Sequence, residues 1–173
     1  MRKITKKGFT LIELMIVLAI IAILAVVLVP KAGQMKDNAR NAGVTTNVNA
    51  VRGVLEAKVV DIKYLGVAAN TRTLLFNTFK SDNELVNPFN VKCKNVATAI
   101  NKPLSTSESV NDSIVVYNYG NPTVPSTIAS DITSTTNINS ANKGKVFIYV
   151  YADGYVVFGV DSTLAAVNVA IIK

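Results

Sequence analysis

Glu13 is followed by sixteen residues, Leu14 to Val29, without one polar side chain. With residues 9–12 in front, the segment to Val29 is 21 residues; at about 1.5 Å of rise per residue, a helix of that length is roughly 31 Å long, the thickness of a bilayer core. A carboxylate inside such a span costs about 3 kcal/mol on insertion scales, so it marks a function and seeks a partner. One partner would be made by a cut after Gly8: Phe9 would then carry a new α-amino group one helical turn from Glu13. Similar helices packed side by side could pair amine with carboxylate, and a pair within one chain is the rival. The bland alternative is that Glu13, one turn from a basic flank, snorkels to the membrane surface.

That flank is Arg2, Lys3, Lys6 and Lys7. Such charges stay on the cytoplasmic side, which predicts an outward-facing remainder. A secretory signal peptide also starts with basic residues, but its apolar core is shorter and ends at a small-residue site. Here the run ends in Val29-Pro30-Lys31 and continues into a polar, helix-patterned stretch.

Lys6-Lys7-Gly8-Phe9-Thr10-Leu11-Ile12-Glu13 followed by an unbroken apolar helix resembles the type IV pilins and pseudopilins. The resemblance is strong from Lys6 to about Pro30, looser along the helix beyond, and says little after about Leu65. It implies that a dedicated membrane peptidase and methyltransferase cuts between Gly8 and Phe9 and methylates Phe9. It implies that Glu13 sets filament assembly and register, and that Pro30 bends the helix, with Gly33 beside it. Independently, Pro30 removes one backbone hydrogen bond and crowds the carbonyl of Val26, so 30–33 is the weak point of the helix. The resemblance further implies a helical homo-oligomeric filament and an assembly platform in the membrane. Many Gram-negative relatives close a C-terminal loop with a disulfide; the single cysteine here allows no internal one and favours a Gram-positive source.

Composition bounds the rest. The net charge of +7 falls to +3 once residues 1–8 are removed, leaving 14 basic against 11 acidic side chains, scattered rather than clustered. A nucleic-acid partner needs a clustered basic face and is not expected. With no histidine and one cysteine, a zinc site of Cys and His is excluded by count. Cys93 reads as a small buried side chain. No metal or other cofactor is expected. Asp153 and Asp161 are near in sequence, but turn chemistry explains the first and strand termination the second. No nucleophile with a base and no phosphate-cradling loop is recognisable, and no enzyme is expected.

The elements that would carry these residues follow. Val44, Val48, Val51, Leu55, Val59 and Ile62 recur at spacings of three and four, so one long helix with an apolar stripe is predicted to about Leu65, stopped by Gly66. Residues 71–80 suggest a short helix capped by Asn70. Asn87-Pro88 and Lys102-Pro103 look like loop breaks. Residues 114–119 read as a strand ended by Gly120-Asn121-Pro122, and 123–143, rich in Ser, Thr and Asn, as an exposed loop. Asp153-Gly154 between two β-rich runs signals a hairpin. A two-residue loop at those positions puts Tyr149 opposite Phe158 and Tyr151 opposite Val156 on one face, with Val150 and Val157 on the other. Both faces are apolar. One can cover the helix stripe, and Tyr149, Tyr151 and Phe158 are left for a loop, a subunit contact or an exposed face. Residues 164–172 are ambiguous: Ala165-Ala166 favours a helix, while Val167, Val169 and Ile171 alternate like a strand, the reading preferred here. Asn111-Asp112-Ser113 formally matches a glycosylation acceptor.

The expectation is an α+β, pilin-like fold: a long N-terminal helix packed on a C-terminal antiparallel sheet. Its parts are a cleaved leader (1–8), a transmembrane and filament-core half (9–30), an amphipathic half (31–65) and a globular head (66–173). The expected function is a pilus subunit serving adhesion and motility, first in the cytoplasmic membrane and then on the cell surface. The alternatives are a pseudopilin or minor pilin of a secretion or DNA-uptake machine, and a permanently membrane-anchored extracellular binding protein.

Overall fold

The structure, a computed structural model, describes residues 8–59, 67–80, 83–96, 112–118, 123, 138 and 140–173. The chain divides into two units, 1–38 and 39–173. Helix α1 (Leu11–Glu56) contributes to both. In the first unit its large apolar side chains, from Leu11 to Val29 and again at Met35, are exposed. Among the described residues it is the one helix long and apolar enough to cross a membrane.

In the second unit the stripe does what its spacing requires. Val44, Val48, Val51 and Leu55 are fully buried, and Val59 is packed beside them. Helix α1 ends at Glu56, nine residues before the expected Leu65. The closing bonds, Ala57 N–H to Gly53 O at 3.2 Å and Lys58 N–H to Leu55 O at 3.0 Å, tighten the last turn from four-residue to three-residue spacing, as helix ends do when no capping side chain intervenes. Ile62, Leu65 and Gly66 lie outside the described residues.

Helix α2 (Ala68–Thr78) starts and ends earlier than expected. Its cap position is Val67, whose carbonyl accepts from Asn70 N–H and Thr71 N–H, both at 3.1 Å. Asn70 is therefore inside the first turn and not its cap. Burial fixes this phase, because Ala68, Thr71 and Leu75 face the core at helical spacing.

The sheet has the order β1 (Asn95–Val96), β2 (Asp112–Asn118), β3 (Val146–Tyr151), β4 (Gly154–Val160), β5 (Ala166–Ile172). Strands β3, β4 and β5 are antiparallel, but β1–β2 and β2–β3 pair in parallel. The antiparallel expectation thus holds for the hairpin and the tail alone. A parallel neighbour needs a long crossover, and the chain between Asn118 and Val146 provides one. Strand β2 begins two residues before the expected Ile114. The expected breaks at Lys102-Pro103 and Gly120-Asn121-Pro122 lie outside the described residues, as does most of 123–143. Of that stretch Asn142 is buried, in a 3-10 turn at Ser140–Asn142.

The hairpin register is displaced by two from the one expected. Tyr151 pairs with Gly154, Tyr149 with Val156 and Phe147 with Phe158, so the connecting residues are Ala152 and Asp153. A shift of two leaves every side chain on its face. Val146, Ile148, Val150, Tyr155 and Val157 pack with α1 and α2 in one core, and Val115, Tyr117, Phe147, Tyr149, Tyr151, Val156 and Phe158 form a second. Gly144 enters β3 at φ 77°, where an added Cβ would overlap Asn87 Oδ1; both facts call for glycine. Asn87 closes the predicted loop at Pro88, donating from Nδ2 to Lys143 O at 2.8 Å and accepting from Phe89 N–H at Oδ1, also 2.8 Å.

Strand β5 bears out the strand reading of the tail and adds a bulge. The register shifts by one between Val157 and Gly159, and Asn168 stands opposite that shift at φ 52°. Its Nδ2 donates to Asn49 Oδ1 at 2.8 Å and to Thr45 O at 3.4 Å on α1. The extra residue resets the alternation, so Val167 joins the helix-side core while Val169 and Ile171 join the aromatic one. At the facing position of β4, Gly159 leaves room for α1: an added Cβ would overlap Val44 Cγ1 and lie 2.9 Å from Val48 Cγ2. One turn away, Asn41 Nδ2 donates to Ser162 Oγ at 3.2 Å, and Ser162 N–H donates to Asn41 Oδ1 at 3.0 Å.

Candidate assembly site at the start of the long helix

Gly8, Phe9 and Thr10 precede the helix and are not part of it. What ends the helix there is Thr10-Leu11-Ile12-Glu13. The Thr10 hydroxyl accepts from Glu13 N–H at 3.3 Å, and the Glu13 carboxylate reaches back to accept from Thr10 N–H at 2.9 Å and from Thr10 Oγ1 at 2.7 Å. This is a capping box, in which the residue before the helix and the third residue within it satisfy each other's free groups. Leu14 N–H donates to Thr10 O at 3.3 Å and begins the regular ladder.

Glu13 therefore has a partner in its own chain. Sequence reasoning singled out the acid but passed over Thr10. The signal was in plain view, a threonine three residues before a glutamate at the head of an apolar run. Chain polarity also places Glu13 in the first turn, where the helix dipole favours a negative side chain. Among the described residues no hydrogen bond joins Phe9 to Glu13, and Phe9 is 80 % exposed. Nothing lies within 4 Å of a Cβ built on Gly8.

Pro30 lies inside α1, which runs on through Gly33. Tyr149, Tyr151 and Phe158, the face left for a loop, a subunit contact or exposure, are buried in the head. Tyr149 and Phe158 meet edge to face with ring centres 5.4 Å apart, and Phe147 stacks on Phe158 at 5.4 Å. Ile138 and Leu164, with Ala166, Val169 and Ile171 of β5, pack against this cluster. The aromatic side chains are thus consumed by the fold, and a loop and the bulged strand take the role left open for a neighbour. Ser113 of the formal glycosylation pattern is buried within β2.

Three further titratable groups, Cys93, Asp112 and Asp161, lie in the head. Cys93 is buried, and burial pushes its thiol up. Burial likewise raises the Asp112 carboxyl, against the opposing pull of Lys145 and Arg72. For Asp161 burial also acts upward, but hydrogen bonds from Thr163 and Ala165 outweigh it and hold the carboxyl below its ordinary value. Asp161 Oδ1 accepts from Thr163 N–H and Thr163 Oγ1, both at 2.8 Å, and from Ala165 N–H at 2.9 Å. It closes the turn between β4 and β5, the structural role that its sequence position indicates.

Residues 4–29 match the family model described as the prokaryotic N-terminal methylation motif. The chain is similar to the type IV narrow pilus major component PilA5 of Thermus thermophilus, 44% identical over 57 residues. That match covers 33% of this chain and 49% of the relative, so the chain spans about half the length of the curated protein it matches. No solved structure matches. The methylation motif at residues 4–29 and the pilin-like stretch, on a chain whose apolar helix α1 accompanies an α+β head, are what this chain shares with the type IV pilins.

Proposed function

We propose that the chain is a structural subunit of a type IV pilus, cut between Gly8 and Phe9, methylated on the Phe9 amine and polymerised through the apolar part of α1. The carrying observation is the exposure on every side of the apolar residues that follow Gly8, with one acid, Glu13, among them. A helix apolar all round must be covered by lipid or by other helices. A subunit stored in the membrane and then moved into a fibre core uses both in turn. The basic residues before Gly8 keep the leader in the cytoplasm and send the head outward.

Residues 1–8 form the leader, 9–30 the membrane and filament-core segment, 31–65 the stretch carrying the helix stripe and 66–173 the rest of the head. The open surroundings of Gly8 mean that the chain's own fold does not require glycine there. A protease that must approach the backbone closely would. Pro30 and Gly33 act as the weak point of α1, where a bend costs least. The partners are other copies of the chain, a prepilin peptidase and methyltransferase, and a membrane assembly platform. The fibre serves surface adhesion and motility.

In this reading Glu13 meets the methylated amine of a neighbouring Phe9, an opposite charge in a low-dielectric bundle whose attraction offsets part of the desolvation cost. The test is Glu13→Leu, with the mass and N-terminal sequence of protein taken from membranes and from sheared surface fibres. The expected result is a parent chain starting at methylated Phe9 in fibres, and a variant that still inserts and is cut but forms few fibres or none. Parent fibres that begin at Met1 would refute the processing, and normal fibres of the variant would refute the role of Glu13.

A further inference from the structure

The capping box divides the two oxygens of Glu13 unequally. Both Thr10 donors, the backbone N–H at 2.9 Å and the hydroxyl at 2.7 Å, converge on Oε2. Among the described residues Oε1 accepts nothing. The Thr10 hydroxyl donates to the carboxylate and accepts from Glu13 N–H in the same arrangement, as one proton and two lone pairs allow. Two bonds to one oxygen, in a ring closed by the Glu13 backbone, fix the side-chain torsions of the acid. They leave its second oxygen free of the cap.

We infer that Thr10 is a positioning residue for assembly: it holds Glu13 by Oε2 and presents Oε1 to the terminal amine of an adjoining copy. This rests on the role proposed for Glu13 above and extends it. The cap and the contact between subunits are then compatible, since a carboxylate has room for both sets of donors. The helix start remains formed when the neighbour arrives, and no internal bond is broken to make the external one. A freely rotating acid would lose side-chain entropy on docking. With Thr10 in place that loss occurs when the helix forms, before the neighbour arrives.

The experiment uses the full-length chain expressed with its processing and assembly machinery, comparing Thr10→Ala, Thr10→Ser and Glu13→Leu. The fraction of mature chain recovered in fibres is measured for each, normalised to mature chain in the membrane, with the extent of cleavage recorded separately. Thr10→Ala should be cut like the parent, yet its fibre fraction should fall about tenfold, the order expected for losing a hydrogen bond to a charged group. Thr10→Ser keeps the hydroxyl and should restore the parent fraction.

A parent-like fibre fraction in Thr10→Ala, with Glu13→Leu defective, overturns the inference while leaving the role of Glu13 intact. Parent-like assembly of Glu13→Leu refutes that role itself, and the inference with it. A fall in Thr10→Ala that Thr10→Ser does not repair, or a loss of cleavage in place of assembly, also overturns it, because the hydroxyl would not be what matters.

Discussion

The two stretches of α1 carry apolar side chains to opposite ends. Between Leu11 and Val29 they point in all directions and are exposed, whereas between Val44 and Leu55 they keep to one stripe and are fully buried. The difference lies in the pattern, since both stretches are rich in Val and Leu. A stripe is the mark of a helix that finishes its packing within its own chain. An apolar surface on every side marks one whose packing is finished by something else. The second stretch and the turn before it add polar side chains aimed at partners outside α1: Asn41 at Ser162, Asn47 at Val86 O and Asn49 at Asn168.

Truncation should separate the two stretches most sharply. Leu55→Ala removes a fully buried side chain and is expected to lower head stability by about 2–5 kcal/mol. Leu18→Ala should leave it unchanged. Denaturant unfolding of the full chain in detergent, followed by the tyrosine signal of the head, measures both. Equal effects would erase the distinction.

Gly159→Ala acts on the same contact from the sheet side. The added methyl must displace Val44 and Val48, so a loss of about 1–3 kcal/mol is expected. Restoring space with Val44→Ala in the same chain should return part of that loss, and a double-mutant cycle reads the coupling.

Asn168→Ala removes the bond to Asn49 and puts an ordinary residue at φ 52°. A left-handed conformation costs a residue with a Cβ about 1–2 kcal/mol. Asn168→Gly loses the bond without that strain and should fall between parent and alanine variant. If the two variants are equal, the backbone conformation is not what Asn168 supplies.

The smallest effect expected is one of acidity. The Asp161 carboxyl sits below its unfolded value, so its contribution is present above that unfolded value, near pH 4, and is lost as pH falls through the folded pKa. Asp112 has the opposite sign: its raised carboxyl is a burden at neutral pH that protonation relieves as pH falls. Asp161→Asn should therefore shallow the acid-side fall of head stability and Asp112→Asn should steepen it. A pH series of unfolding midpoints tests the two signs together.

The N-terminal third was legible because its constraints are local. Gly8, Glu13 and the apolar run can be read without knowing what the chain folds back upon, and the stripe from Val44 to Leu55 declares itself by spacing alone. The head was legible in its strands and less so in their pairing. A hairpin register depends on which residues make the turn, and Ala152-Asp153 offers a weaker turn signal than the Asp153-Gly154 beside it. Parallel pairing of β2 with β3 is a fact about a long crossover, invisible in either strand. The burial of Tyr149 and Phe158 turned on what covers the second face of the sheet, and the bulge at Asn168 helps to provide that cover. Thr10 differs in kind: a threonine three residues before a glutamate marks the start of any helix and carries no signal of the membrane around it.

The bulge has a further consequence, for crowding. Strand β5 is the last in the sheet order, so among the described strands its outer backbone edge has no partner. A smooth edge of that kind is a template on which a second molecule can lay a strand. Copies of the chain concentrated in a membrane, or brought close in the fibre proposed above, would meet such edges often. With Asn168 in the left-handed region, the row of edge donors and acceptors is broken in mid-strand, and the side chain that breaks it is turned inward to the helix. The residue that fastens the sheet to α1 thereby also makes β5 a poor surface for aggregation.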